Sequence, residues 1–226
     1  MIEDVFTPQE VRSILATIEV ADAHPGSFRK TRDLFAIRRF LREVPGCVPL
    51  IFTEKLRSLI REYLGADFFV VKSIYFDKPP ASNWFVAWHQ DLTISVDKKA
   101  DLEGFKGWTV KQGQFAVQPP LAILESIYTI RIHLDDTDED NGALRVIPGS
   151  HRKGVIAPGS ADWTIEQEVI CPVPMGGVMI MRPLLLHASS RSTNDMLRRV
   201  IHIEFSSGCL PEPLSWAEQV KGCTIP

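Results

Sequence analysis

The chain has 226 residues, 45% of them hydrophobic and 23% charged, which excludes a disordered or fibrous protein and predicts one packed domain over residues 1–226. A net charge of −3 and a pI near 6.1 leave no basic field for a phosphate backbone, so nucleic acid is not an expected partner. The start MIEDVFTPQEV has neither a basic nor an apolar leader region, no stretch approaches the roughly 18 apolar residues of a membrane span, and the four cysteines (Cys47, Cys171, Cys209, Cys223) lack C-x-x-C spacing, so thiols in a cytoplasmic protein are expected.

Thr7-Pro8-Gln9-Glu10 reads as a capping box with proline at the first helical position, and Val11, Ile14, Leu15 and Ile18 continue at helical spacing. A polar loop over 22–32 follows, and Leu34 to Val44 predicts a second helix closed by Pro45-Gly46. Thr53 caps a third, with Leu56, Leu59, Ile60 and Leu64 on one face and Gly65 as its stop. The helical part thus spans about 7–65.

From Phe68 the period changes to two. Phe68 to Phe76, Trp84 to His89, Ser126 to Leu134, Ala143 to Ile147, Glu168 to Val173, Val178 to Arg182, Leu184 to Ser189 and Arg199 to Phe205 all read as short strands. In the third of these, Ile127, Thr129, Arg131 and His133 share one face and Tyr128, Ile130, Ile132 and Leu134 the other. Asn141-Gly142 signals a turn. Helices followed by many short strands make a mainly β (α+β) fold, a jelly roll with its core over about 68–207. Between Asp91 and Ser126 no period is clean; the segment reads either as a lid or as a strand pair whose pattern is obscured.

Six histidines are present. His89-Gln90-Asp91 ends a strand, and period two puts His89 and Asp91 on one side, where an imidazole and a carboxylate can meet one ion. Alone this is weak, because a short motif arises easily by chance. His187 closes the apolar run Leu184-Leu185-Leu186; such a histidine is ordinarily packed or on the surface. With His89 and Asp91 it would complete a two-imidazole, one-carboxylate triad that leaves three positions open on iron(II), enough for a bidentate keto acid and O2. Arg198, eleven residues beyond His187, offers a planar fork for the far carboxylate of a keto diacid; by itself it reads as a solvated arginine. His151 sits in a Pro-Gly-Ser-His turn and reads as structural. His133 and His202 fit a core or a substrate-facing place, and Arg131 with His133 could bind an acidic substrate.

These residues carry a resemblance. Trp88-His89-Gln90-Asp91, Leu134-Asp135-Asp136, Asn141-Gly142-Ala143-Leu144, Val146-Ile147-Pro148-Gly149-Ser150-His151 with Gly154, Gly176-Gly177, His187-Ala188-Ser189 and Arg198-Arg199 occur in that order. The chain resembles the phytanoyl-CoA dioxygenase family from about residue 8 to about residue 207. The resemblance implies a cupin-like double-stranded β-helix with His89, Asp91 and His187 as iron ligands, Arg198 as the anchor of 2-oxoglutarate, and Ser189 beside it. Gln90 and Trp108 match positions that approach the co-substrate in relatives. Relatives often carry an asparagine shortly after the distal histidine; here Ser192 stands near that spot and Asn194 is displaced, so no role passes to Asn194. The implied activity is an Fe(II)-, 2-oxoglutarate- and O2-dependent dioxygenase, with ascorbate as an optional reductant, that releases succinate and CO2. Because Asp91 is retained as a ligand, hydroxylation is expected rather than halogenation. A small polar metabolite is the expected substrate, since no basic patch for the phosphates of an acyl-CoA is evident. The competing reading is a cupin-like metal-binding protein without oxygenase activity, which would not need Arg198. Monomer and homodimer stay open.

Overall fold

The computed structural model describes residues 1–21, 28–30, 35–80, 82, 84–111, 113–157 and 167–219; His24, Leu34, Cys223 and the polar loop apart from residues 28–30 lie outside these. The capping box forms: Glu10 N donates to Thr7 Oγ1 at 3.2 Å and Thr7 N to the Glu10 carboxylate at 2.7 Å, starting helix α1 (Pro8–Glu19). Next come strands β1 (Phe28–Lys30) and β2 (Phe35–Arg38) and helices α2 (Phe40–Glu43), α3 (Cys47–Ile51) and α4 (Glu54–Tyr63). The expected helix over 34–44 is corrected to a strand and a single helical turn. Phe35–Arg38 pairs antiparallel with β3 (Phe69–Lys78), and Arg39, at φ 53°, breaks the chain before α2. Burial of Ala36 and Ile37 within that sheet, between β1 and β3, outweighs their helical spacing.

The remaining strands are β4 (Val86–His89), β5 (Ile94–Val96), β6 (Lys106–Lys111), β7 (Gln114–Gln118), β8 (Tyr128–His133), β9 (Leu144–Val146), β10 (Val169–Cys171), β11 (Val178–Met181), β12 (His187–Ser189) and β13 (Arg198–Ser206), with helix α5 (Leu121–Ser126) before β8. Two antiparallel sheets, in the orders β1-β2-β3-β13-β8-β11 and β10-β9-β12-β4, make the jelly roll. The stretch expected as lid or strand pair holds three strands, in the order β5-β7-β6.

Alternation on β13 separates core from site. Ile201 and Ile203 face outward with Ile130 and Ile132 of β8 and Leu134 just after it, and the four helices close over them through Val11, Ile14, Phe40, Leu41, Ile51, Leu56 and Ile60. Arg198, His202 and Glu204 alternate with them and point between the two sheets. The N-terminus is tied to the large sheet by mutual Ile2–Val178 backbone bonds of 2.9 and 2.8 Å and by Phe6 N to Gly176 O at 2.9 Å. A side chain at Gly176, which also has φ 81°, would collide with the Phe6 backbone. No helix among the described residues is long and apolar enough to cross a membrane.

Candidate active site

β12 runs antiparallel to β4 and sets His187 directly opposite His89, with ring centroids 4.2 Å apart. Asp91 follows β4 and is pinned by its N–H to Pro183 O at 2.8 Å. Its two carboxylate oxygens lie 3.7 Å from His89 Nε2 and 3.8 Å from His187 Nε2. One donor atom from each of the three residues falls within 4.8 Å of the others.

Backbone carbonyls settle which ring nitrogen carries the proton. His89 Nδ1 is 2.9 Å from Ala87 O and His187 Nδ1 is 2.8 Å from Leu185 O. A carbonyl only accepts, so both protons sit on Nδ1 and both Nε2 lone pairs face Asp91. Burial, the largest influence on His187, pushes its pKa down to about 4 and keeps the ring neutral. Burial opposes charge on Asp91 too, but His187, His202, Lys72 and His89 outweigh it and hold the carboxyl at about 2. Two imidazoles and one carboxylate on one side of an ion match the facial donor set of non-haem iron(II).

The Pro-Gly-Ser-His turn braces this arrangement. Leu186 N donates to the buried Ser150 Oγ at 2.8 Å, and Ile147 N donates to Leu186 O at 3.1 Å, fixing the residue that precedes His187.

A cavity of about 160 Å³ lies between the sheets. His89, Asp91 and His187 line it with Phe76, Trp84, Val86 and Leu144, and with Arg131, Ser189, Arg198 and His202. Arg198 is 3% exposed, donates from Nη1 to Gly142 O at 2.9 Å, and has no partner for Nε. Among the described residues no carboxylate pairs with it. Burial first and Arg131 second push its pKa down to about 9. Arg131 bonds His202 Nδ1 at 3.3 Å and also leaves Nε unpartnered. Two buried guanidiniums facing one small cavity fit a dianionic ligand that also reaches the triad.

The family model described as phytanoyl-CoA dioxygenase (PhyH) matches residues 1–200. The chain belongs to the phytanoyl-CoA dioxygenase family. This PhyH-family chain is 26% identical over 170 residues to the ectoine dioxygenase of Bordetella parapertussis, covering 70% of the chain and 47% of the relative. It is 26% identical over 188 residues to the L-proline trans-4-hydroxylase of Streptomyces griseoviridis, covering 71% and 62%. The chain therefore spans about half the length of the curated relatives it matches. Among solved structures it shares its fold with EctD from S. alaskensis with bound Fe (TM-score 0.70, 19% identity, 94% of this chain and 74% of that one). HygX from Streptomyces hygroscopicus with nickel and 2-oxoglutarate bound also shares the fold (TM-score 0.62, 14% identity, 91% and 81%).

Not every residue expected at the PhyH site lines its cavity. Ser189 does, with Oγ donating to Gly142 O at 2.9 Å. Gln90 does not: its amide nitrogen donates to Gly154 O at 2.9 Å and Leu184 O at 2.7 Å, and its oxygen accepts from Ile156 N at 2.8 Å. Period two turns Gln90 away from the side His89 and Asp91 share, and it ties two loops together. Trp108 lies on β6 and packs against a second apolar cluster around Val117 and Leu124, away from the cavity. His151 lies in a short 3-10 turn and lines a different cavity. His133 is buried, with Nδ1 2.8 Å from Thr137 Oγ1, and burial pushes its pKa well down.

Sequence reasoning missed Gly142 as more than a turn residue; its carbonyl receives both Arg198 and Ser189. It also missed Trp84, which lies beneath the Arg198 guanidinium at 5.9 Å. A third omission is the chain Lys72–Glu204–His202, with contacts of 2.7 and 3.2 Å, that continues to Arg131. The alternation Arg198, Val200, His202, Glu204 on β13 was the available signal for that chain.

Proposed function

We propose that this chain is an Fe(II)- and 2-oxoglutarate-dependent dioxygenase that hydroxylates a small molecule and releases succinate and CO2. Its helices and jelly roll act as one catalytic domain, in the cytoplasm. The observation that carries this reading is Arg198: a buried guanidinium without a counter-charge, lining the same cavity as His89, Asp91 and His187. A cupin-like metal protein without a keto-acid co-substrate has no use for it. The names of the relatives, ectoine dioxygenase and L-proline trans-4-hydroxylase, support hydroxylation of a small molecule.

His89, Asp91 and His187 would hold the iron. The bound metal and co-substrate supply O2 activation coupled to decarboxylation of the keto acid. The chain supplies geometry. The Ala87 and Leu185 carbonyls hold the two imidazoles in the ligating tautomer, and Gly142 O steadies Arg198 and Ser189 for the far carboxylate of 2-oxoglutarate. Phe76, Trp84, Val86 and Leu144 keep water from the space between them.

The test measures succinate from 2-oxoglutarate with iron(II), ascorbate and O2, beside calorimetric 2-oxoglutarate binding to the zinc-loaded protein. Both signals are expected in the wild type and neither in His89→Ala. Metal affinity unchanged in Asp91→Ala and His187→Ala would sink the site assignment, and a wild type that binds metal but not 2-oxoglutarate would sink the function.

A further inference from the structure

Asp91 stands in the wall between two cavities. One is the 160 Å³ space that holds Arg198; the other, of about 320 Å³, lies on the far side of Asp91. The two follow one another along one strand ladder, in which Arg198 pairs with Lys78 and Glu204 with Lys72. The first cavity runs along the ladder from Arg198 to His202, and the second begins at Ile74, the partner of His202, and continues to Lys72. A molecule in the larger cavity therefore reaches the triad from the end away from Arg198. Its outer wall is the three-stranded sheet β5-β7-β6, which contributes Thr109, Gln114 and Ala116.

Most of the residues that line this cavity are polar or charged, Asp91 among them. Arg38 and Lys72 bring positive charge, Thr93, Ser95, Thr109 and Gln114 bring hydrogen-bonding groups, and of the lining residues Ile74 and Ala116 alone are apolar. Lys72 has three donors; Glu204 takes one at 2.7 Å and Thr93 O a second at 3.4 Å, which leaves one for a ligand.

We propose that this second cavity binds the molecule to be oxidised, and that this molecule is a small hydrophilic carboxylic acid whose carboxylate meets Lys72 and Arg38. The proposal rests on the oxygenase reading. It gives the segment between β4 and β8 a function as the wall of the substrate cavity.

The test is calorimetry on the full chain loaded with zinc and 2-oxoglutarate, titrated with L-proline, L-glutamine, L-lactate and glycolate, then with prolinamide, lactamide and hexanoate. At least one of the acids is expected to bind about tenfold or more tightly than its own amide and than hexanoate, the size of a charge-assisted contact. Ala116→Phe fills the cavity and is expected to abolish that binding with 2-oxoglutarate affinity unchanged. Lys72→Met is expected to weaken it about tenfold. Because that change strands the buried Glu204, Gln114→Leu on β7 serves as a second variant and is expected to weaken binding without unfolding the protein. Failure of every acid to bind, an amide or hexanoate binding as tightly as the acids, or acid binding that survives Ala116→Phe overturns the proposal. Loss of the oxygenase reading looks different: the zinc-loaded wild type would then fail to bind 2-oxoglutarate at all.

Discussion

Arg198 and Arg199, neighbours on β13, face opposite sides of the large sheet and meet opposite electrostatic surroundings. Arg199 is clamped by Asp135, whose carboxylate accepts from Nε at 2.8 Å, from Nη2 at 2.6 Å and from the Arg199 backbone at 2.8 Å. Arg198 points into the cavity and bonds one carbonyl, Gly142 O. One arginine is satisfied within the fold and the other is held in readiness for a ligand.

Arg198→Gln is expected to weaken 2-oxoglutarate binding roughly ten- to a hundredfold, the worth of charge-assisted hydrogen bonds in a dry site. The ligand-free protein should be no less stable, since a buried cation without a counter-charge is removed. Calorimetry on zinc-loaded protein and urea unfolding read the two effects; an unchanged Kd would remove Arg198 from the co-substrate site.

Asp135→Ala should act on stability instead. It strands the Arg199 guanidinium, whose side chain is 19% exposed, and a loss of about 1–3 kcal/mol is expected in urea unfolding. Metal affinity should not change, because neither residue lines the cavity.

Gly142→Ala is expected to damage both. Gly142 sits at φ 90°, and a Cβ there would lie 2.8 Å from Ser190 O and 2.9 Å from Lys78 Nζ. The backbone conformation alone costs about 1–2 kcal/mol for a residue with a Cβ. Relief of the contacts moves the carbonyl that holds Arg198 and Ser189, so 2-oxoglutarate affinity should fall together with the unfolding midpoint. Wild-type affinity in this variant would show that Arg198 does not depend on that carbonyl.

Glu218 gives stability a pH dependence. Its carboxylate accepts from Ser73 N at 2.7 Å and from Ser73 Oγ, and burial, the largest influence, pushes its pKa up from 4.5 to about 7. Between these values the folded chain keeps a proton that the unfolded chain has released, so stability falls as pH rises through the window. The loss is on the order of 3 kcal/mol and is complete above the folded value. In Glu218→Gln the slope between pH 4.5 and 7 should flatten, leaving the variant the more stable protein at pH 8. Urea unfolding across this range checks it; an identical slope in the variant would show that Glu218 is not the group responsible.

Local patterns in the chain carried a good part of this fold. The caps of α1 and α4 and the alternation of β8 and β13 were legible because each depends on neighbours a few residues apart. Phe35–Arg38 was not, since its strand state comes from pairing with β3 some forty positions away. The strands β5, β6 and β7 escaped for a similar reason: they are short and take their register from one another. Trp108 was placed by likeness in a segment of irregular length, and β6 carries it to another core.

By itself the sequence determined the chemistry on offer: two histidines and an aspartate at strand spacing, an arginine beyond them, and the turns between. Donor types and period-two facing are properties of a short stretch of chain. Tertiary structure decided which of these groups share a cavity. Pairing of β12 with β4 set His187 against His89, and the Asp135 clamp on Arg199 left Arg198 as the arginine turned inward. Folding the segment after Asp91 into a sheet placed a second cavity on the other side of that carboxylate. Those outcomes depend on which strands pair across long separations and which charges find partners, and neither is encoded in a local pattern.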